Sequence, residues 1–163
     1  MTKVKKKRDP RAVLQKGIFA NDELAGNVFG DKYMNQNDMY DGLDPIITMH
    51  KRIAAQIYGK ELQYKNPTSK EKIFELLDGF KWVVPGGSVM YGLNSNKLVS
   101  LGNCFVIGNY QEKDSYGTIM RRDEEQVQLM KRRGGVGQDL SFLRSKGTAV
   151  NNSALVSTGV VPF

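Results

Sequence analysis

Four groups of residues between positions 85 and 152 have the types and spacing to do chemistry. "PGGSVMYG" (85–92) reads as a small-residue turn where backbone can approach a ligand closely. "NC" at 103–104 places a thiol on a strand, and "DSY" at 114–116 opens a helix with a carboxylate and a hydroxyl that can accept hydrogen bonds. "KRRGGVGQDLSFLRSK" (131–146) runs cations into a glycine pair and closes on a second pair of cations. A phosphate or nucleotide is one occupant for such a segment, and a plain helix-to-strand turn is the other reading. Each feature alone also has a plain reading. A lone cysteine in an apolar strand is usually packing, and a glycine pair after a helix commonly supplies a positive φ. The glycines are not the dinucleotide-binding fingerprint, because they follow a helix instead of a strand.

The elements that must position these groups are readable from Asp44 onward. Asp44 can cap and Pro45 suits the first helical position, where its missing N–H would be unpaired anyway. Ile46, Ile47, Met49, Ile53, Ile57 and Tyr58 then recur at helical spacing, which predicts an amphipathic helix over "PIITMHKRIAAQIYGKEL". His50, the only histidine, falls inside it and has no ligand-forming neighbours, so a structural place is expected. "TSKE" at 68–71 reads as a capping box that starts a second helix, with Ile73, Phe74, Leu76 and Leu77 as its apolar face and Gly79 at its end. "FKWVVPGGSVMYG" predicts a short buried strand, a turn and more extended chain. "LGNCFVIG" predicts a strand carrying Cys104. A third helix is predicted over 115–131, capped by Asp114 or Ser115, and "GVGQDLSFLR" predicts a strand after it. Helix, helix, strand, strand, helix, strand is the order of an α/β or α+β chain, with no internal repeat.

The 163 residues suffice for one domain with a real core, and 40% hydrophobic with 25% charged residues is ordinary for a globular protein. No apolar run has the length of a membrane span and no apolar block follows the basic start as in a signal peptide, so a cytoplasmic protein is expected. One cysteine excludes an internal disulfide. The net charge of +7 raises the question of nucleic acid, but the surplus is concentrated in the arm "MTKVKKKRDPR", and the charge alone does not argue for a DNA-binding domain. The apolar "SALVSTGVVPF" lacks a polar finish, and the expectation is that further polypeptide, as a continuation or a second chain, completes the fold.

Taken together and in order, "SLGNCFVIG", "DSYGTI" and "EEQVQLMKRRGGVGQDLSFLRSKGTAVNNSALVSTGVVPF" resemble the N-terminal part of the catalytic subunit of a ribonucleotide reductase, most closely its adenosylcobalamin-dependent (class II) branch. The likeness covers roughly residues 45–163 and is densest after Pro85. No ATP-cone is evident in the first 44 residues. The resemblance implies an α/β fold: a basic arm and irregular segment over 1–44, a helical region over 45–84, and over 85–163 the first strands and helix of a ten-stranded α/β barrel. It implies that Cys104 is one half of a redox pair that reduces the ribose. It places Ser88 (or Gly87 beside it), Asn103 and Gly135 at substrate. Gly102 stands where the family commonly has a serine. The same resemblance assigns Asp114, Ser115, Lys131, Arg144, Asn151 and Asn152 to an allosteric specificity site for a deoxynucleotide or ATP effector.

It further implies adenosylcobalamin held by the complete enzyme, a homodimer formed through the effector region, a thioredoxin-like reductant, and no metal held by this chain. The radical cysteine, its neighbouring carboxylate and the second redox cysteine lie elsewhere in the family's chain, so the 163 residues alone are expected to be inactive. A non-catalytic nucleotide-binding module derived from the same family is the alternative, and Cys104 argues against it, since an effector module has no need of that thiol. A basic nucleic-acid-binding domain would leave the order of the later motifs unexplained.

Overall fold

Asp44 and Pro45 start the longest helix as the sequence predicts, with the Ile46 amide donating to Asp44 Oδ1 at 2.9 Å. The computed structural model describes residues 14, 17–39, 44–108 and 114–162. The basic arm and the loop residues 40–43 predicted as irregular lie outside them. The chain divides into two units, Met1–Gly102 and Asn103–Phe163. Residues 85–102, which the resemblance assigns to the start of the barrel, fall in the first unit. Among the described residues, no helix is long and apolar enough to cross a membrane.

The first unit is helical. Helix α1 (Glu23–Lys32) lies in a stretch expected to be irregular. Its glycines and asparagine are poor helix formers, but Asp22 caps it by accepting from the Ala25 amide at 2.8 Å, and Phe29 anchors it in the core. A 3₁₀ turn (Gln36–Met39) leads to α2 (Pro45–Glu61), whose Ile46, Met49, Ile53 and Ala54 are buried. That face packs with Ile73 and Leu77 of α3 (Lys70–Leu77), together with Leu14 and Phe29. Burying each large aliphatic side chain contributes about 1.5–3 kcal/mol. His50 is fully buried on α2, edge-on to Phe80 with ring centroids 4.7 Å apart.

The capping box is corrected by one residue. Ser69 caps α3 by accepting from the Lys72 amide at 3.2 Å, whereas the Thr68 amide is drawn to Glu61 Oε2 at 2.9 Å. A 3₁₀ turn (Asp78–Phe80) with Gly79 at φ +61° follows. The strand expected over "FKWVV" does not form, and Trp82, Val83 and Val84 are exposed. The chain expected to be extended after Pro85 is instead helix α4 (Gly87–Gly92). Gly87 is required there because a Cβ would run into the Tyr33 ring.

One buried cation organises this unit. Arg52 of α2 donates to Asp38 Oδ1 at 2.7 Å and Oδ2 at 2.8 Å, to Met90 O at 2.6 Å, and to Leu93 O. The Asn35 side chain adds a bond to Tyr91 O at 3.0 Å. Side chains distant in sequence thus satisfy the otherwise orphaned carbonyls at the end of α4. This explains how so short a helix, rich in glycine, persists.

The second unit is a parallel β-α-β element. Strand β1 (Cys104–Ile107) pairs with β2 (Gly135–Gln138), and α5 (Tyr116–Met130) makes the crossover that a parallel pair needs. The register sets Cys104 opposite Gly135 and Ile107 opposite Gln138. Ser115 caps α5, accepting from the Thr118 amide at 3.3 Å, which resolves the choice between Asp114 and Ser115. β2 is shorter than the strand predicted over 135–144. Asp139 accepts from the Ser141 amide at 2.8 Å, turning the chain at the end of the strand, and the Asp139 carbonyl is held by Arg122 of α5 at 3.1 Å. Arg122 also lies 3.9 Å over the Phe142 ring. The described residues thus form a mixed helix and strand structure with an open two-stranded parallel sheet.

Candidate functional site

Two places in the second unit gather the residues singled out by the sequence. The first is the start of the strand pair. The Gly135 amide donates to Asn103 O at 2.7 Å, and a Cβ on Gly135 would lie 3.7 Å from Cys104 Sγ and 3.4 Å from Asn103 O. A Cβ at 135 would thus meet the thiol and the Asn103 carbonyl at ordinary van der Waals distances, and the bare glycine leaves that space open. Cys104 is a free, exposed cysteine, so the packing reading of that residue does not hold. The preceding glycine is the sterically required one, because a Cβ on Gly134 would come within 2.8 Å of the Phe105 ring and 3.1 Å of Leu129 O.

The second place is a cavity of about 550 Å³ at the N-terminal end of α5, lined by Asp114, Ser115, Arg144, Asn151 and Asn152, with Ile119 and Val150 supplying apolar wall. Its volume lies in the range of small-molecule pockets, about 300–1,000 Å³. Its rim is built by the short antiparallel bridge between Ala149 and Val156 and the turn between them, where Ala154 N donates to Asn152 Oδ1 at 2.9 Å. Leu155 sits in that turn at φ +64°, an uncommon conformation for a leucine.

Asp114 and Arg144, thirty positions apart in sequence, pair in the cavity. Arg144 Nη2 donates to Asp114 Oδ1 at 2.7 Å, its Nε to Oδ2, and its backbone amide to Oδ2 at 3.2 Å. Arg144 Nη1 reaches Ala149 O at 3.2 Å. The guanidinium bonds hold the Asp114 carboxyl down at about 2, and the carboxylate in turn raises Arg144 above its ordinary range. Both groups are therefore charged at any ordinary pH. The cavity offers a fixed cation, a fixed anion and amide side chains beside the start of a helix, a combination suited to a ligand that carries both a phosphate and a hydrogen-bond donor.

The remaining site residues lie elsewhere. Lys131 is the C-cap of α5, at the end of the helix away from the cavity. Ser88 belongs to the first unit, in α4, and is only 4% exposed. Among the described residues, no group of three or more histidine, cysteine and carboxylate side chains comes together as a metal site. His50, the one imidazole of the chain, is buried in the first unit.

Sequence reasoning missed Arg122, a buried arginine that joins α5 to the chain leaving β2, and its side chain keeps Nε and Nη2 without a hydrogen-bond partner. The signal was weak, since its place among "RRDEE" reads as solvent-facing charge. The pairing of Asp114 with Arg144 was equally invisible, as nothing local joins the two segments.

A parallel β-α-β unit with an exposed thiol at one end of its helix and a charged, nucleotide-sized cavity at the other defines the class of structure. Residues 102–163 match the family described as ribonucleotide reductase, barrel domain, a span that nearly coincides with the second unit. No curated protein matches the chain.

Proposed function

We propose that this chain is part of the catalytic subunit of a ribonucleotide reductase, in which Cys104 is one redox thiol and the cavity around Arg144 is the effector site. The observation that carries the proposal is convergence within the matched span. All the residues assigned to the effector by resemblance, except Lys131, line one cavity, while Asn103, Cys104 and Gly135 meet at the strand pair. Replacing the ribose 2′-hydroxyl by hydrogen releases water and takes two electrons and two protons, which two thiols supply on closing to a disulfide. Cys104 provides one of them, and because it is the only cysteine here, the second thiol and the radical cysteine come from polypeptide outside these 163 residues. The bare glycine at 135 leaves room beside Sγ for the sugar. A thioredoxin-like dithiol then reopens the disulfide.

In the cavity the Arg144 guanidinium meets effector phosphate, Asp114 and Ser115 accept from the sugar, and Asn151 and Asn152 add amide contacts. Lys131, at the opposite end of α5, lies away from this cavity, and the homodimer implied by the resemblance forms through this region. The exposed Cys104 favours this reading over a purely regulatory module. The test is Cys104→Ser in the complete reductase with a dithiol reductant supplied. Turnover should be lost while effector binding persists, and undiminished turnover would remove Cys104 from the chemistry.

A further inference from the structure

The cation expected to receive a phosphate is already engaged. A guanidinium carries five N–H groups. Arg144 directs Nε and one Nη2 hydrogen at the two oxygens of Asp114 and one Nη1 hydrogen at Ala149 O, so one hydrogen on each Nη is left. The two-pronged side face, formed by Nε and Nη2, is one of the faces on which a guanidinium meets two oxygens of a phosphate. Asp114 therefore occupies a face on which a phosphate can dock, and it is the less exposed partner, at 16% of its side chain against 42% for Arg144. It is also fixed from a second direction by the Arg144 backbone amide.

We infer that Asp114 is a built-in competitor for Arg144 and thereby a specificity determinant: a ligand enters by exchange, its phosphate taking the guanidinium while a donor on the same ligand takes the released carboxylate. The inference rests on the reading of the cavity as a nucleotide site. A bare polyphosphate can make only the first half of the exchange. It strips Arg144 from Asp114 and leaves a second anion beside itself with its best partner gone. A nucleotide offers a sugar hydroxyl or base N–H to complete the second half. The cavity thus favours nucleotides over inorganic phosphates without needing a contact that is specific to any base.

The test is calorimetric titration of the full chain with inorganic tripolyphosphate and with deoxyadenosine triphosphate, in the unsubstituted protein, Asp114→Asn and Arg144→Ala. Removing the competing charge should tighten tripolyphosphate binding about threefold to tenfold, the range set by exposed and well-aligned ion pairs. The preference for the nucleotide over tripolyphosphate should shrink with it, and Arg144→Ala should weaken both ligands. If Arg144→Ala weakens both but Asp114→Asn leaves tripolyphosphate binding unchanged or weaker, the exchange is refuted and the nucleotide site stands. If the unsubstituted chain binds neither ligand, or Arg144→Ala binds both as before, the nucleotide-site reading and the inference fall together. A measurement on the unsubstituted chain guards against misfolding of Asp114→Asn. The Arg144 Nε–H nuclear magnetic resonance, assigned through Arg144→Lys, should move on saturation with tripolyphosphate, and an unmoved signal in a saturated sample refutes the exchange.

Discussion

Removal of the Asp38 carboxylate should be among the most damaging single changes in the first unit. The Asp38 side chain is fully buried and that of Arg52 is 7% exposed, so water screens neither charge well. In Asp38→Ala the guanidinium keeps the carbonyls of Met90 and Leu93 but loses its counter-ion, and the Asn35 amide loses its acceptor at 3.0 Å. Breaking a buried pair from one side costs about 3–5 kcal/mol, a large part of a typical total of about 5–15 kcal/mol. The double variant Asp38→Ala/Arg52→Met removes both charges, yet it strands the Met90 and Leu93 carbonyls and the Asn35 amide. It should therefore recover only part of the loss and remain about 2 kcal/mol below the unsubstituted chain. Urea unfolding followed by far-ultraviolet circular dichroism is the assay, because Trp82, the only tryptophan, is 69% exposed and reports poorly on the core. A loss under about 1 kcal/mol for Asp38→Ala would refute the burial argument. Full recovery in the double variant would refute the anchoring of α4 by Arg52.

His50 makes the first unit acid-sensitive. Burial pushes its imidazole below the ordinary 6.5, against the opposing pull of Asp78, Asp44 and Asp38. The unfolded chain therefore takes up a proton as pH falls through 6.5 while the folded chain does not, so stability is lost below that pH and is flat above it. Urea midpoints between about pH 8 and about pH 5 should fall in the unsubstituted chain and fall less in His50→Leu, and equal slopes would refute the assignment. In the second unit, Gly134→Ala should cost about 1–3 kcal/mol by overpacking against Phe105. An unchanged melting temperature would show that the strand pair yields easily.

The legible parts of the fold were those fixed by neighbours in sequence. The start of α2 follows from Asp44 and Pro45, its buried face from apolar spacing, and α5 from a serine cap ahead of a periodic run. The strand around Cys104 was clear from its apolar residues. The failures came where distant groups decide. "GSVMYG" lacks good helix formers, and α4 exists because Arg52 and Asn35, remote in sequence, bind its carbonyls. The exposed "KWVV" looked like a buried strand because apolar composition does not reveal whether a neighbour covers it. The site was legible as a set of residue types, but the pairing that defines its chemistry, Asp114 with Arg144, joins segments no local pattern connects.

Helix α5 is also a ruler. Its fifteen residues span about 22 Å, with the cavity at its capped start and the thiol strand pair beyond its end. Adding or deleting one residue within it would turn everything beyond by about 100° and shift it by about 1.5 Å, taking Gly135 out of step with Cys104. The length of this helix is therefore constrained by the two ends it separates more tightly than its composition is.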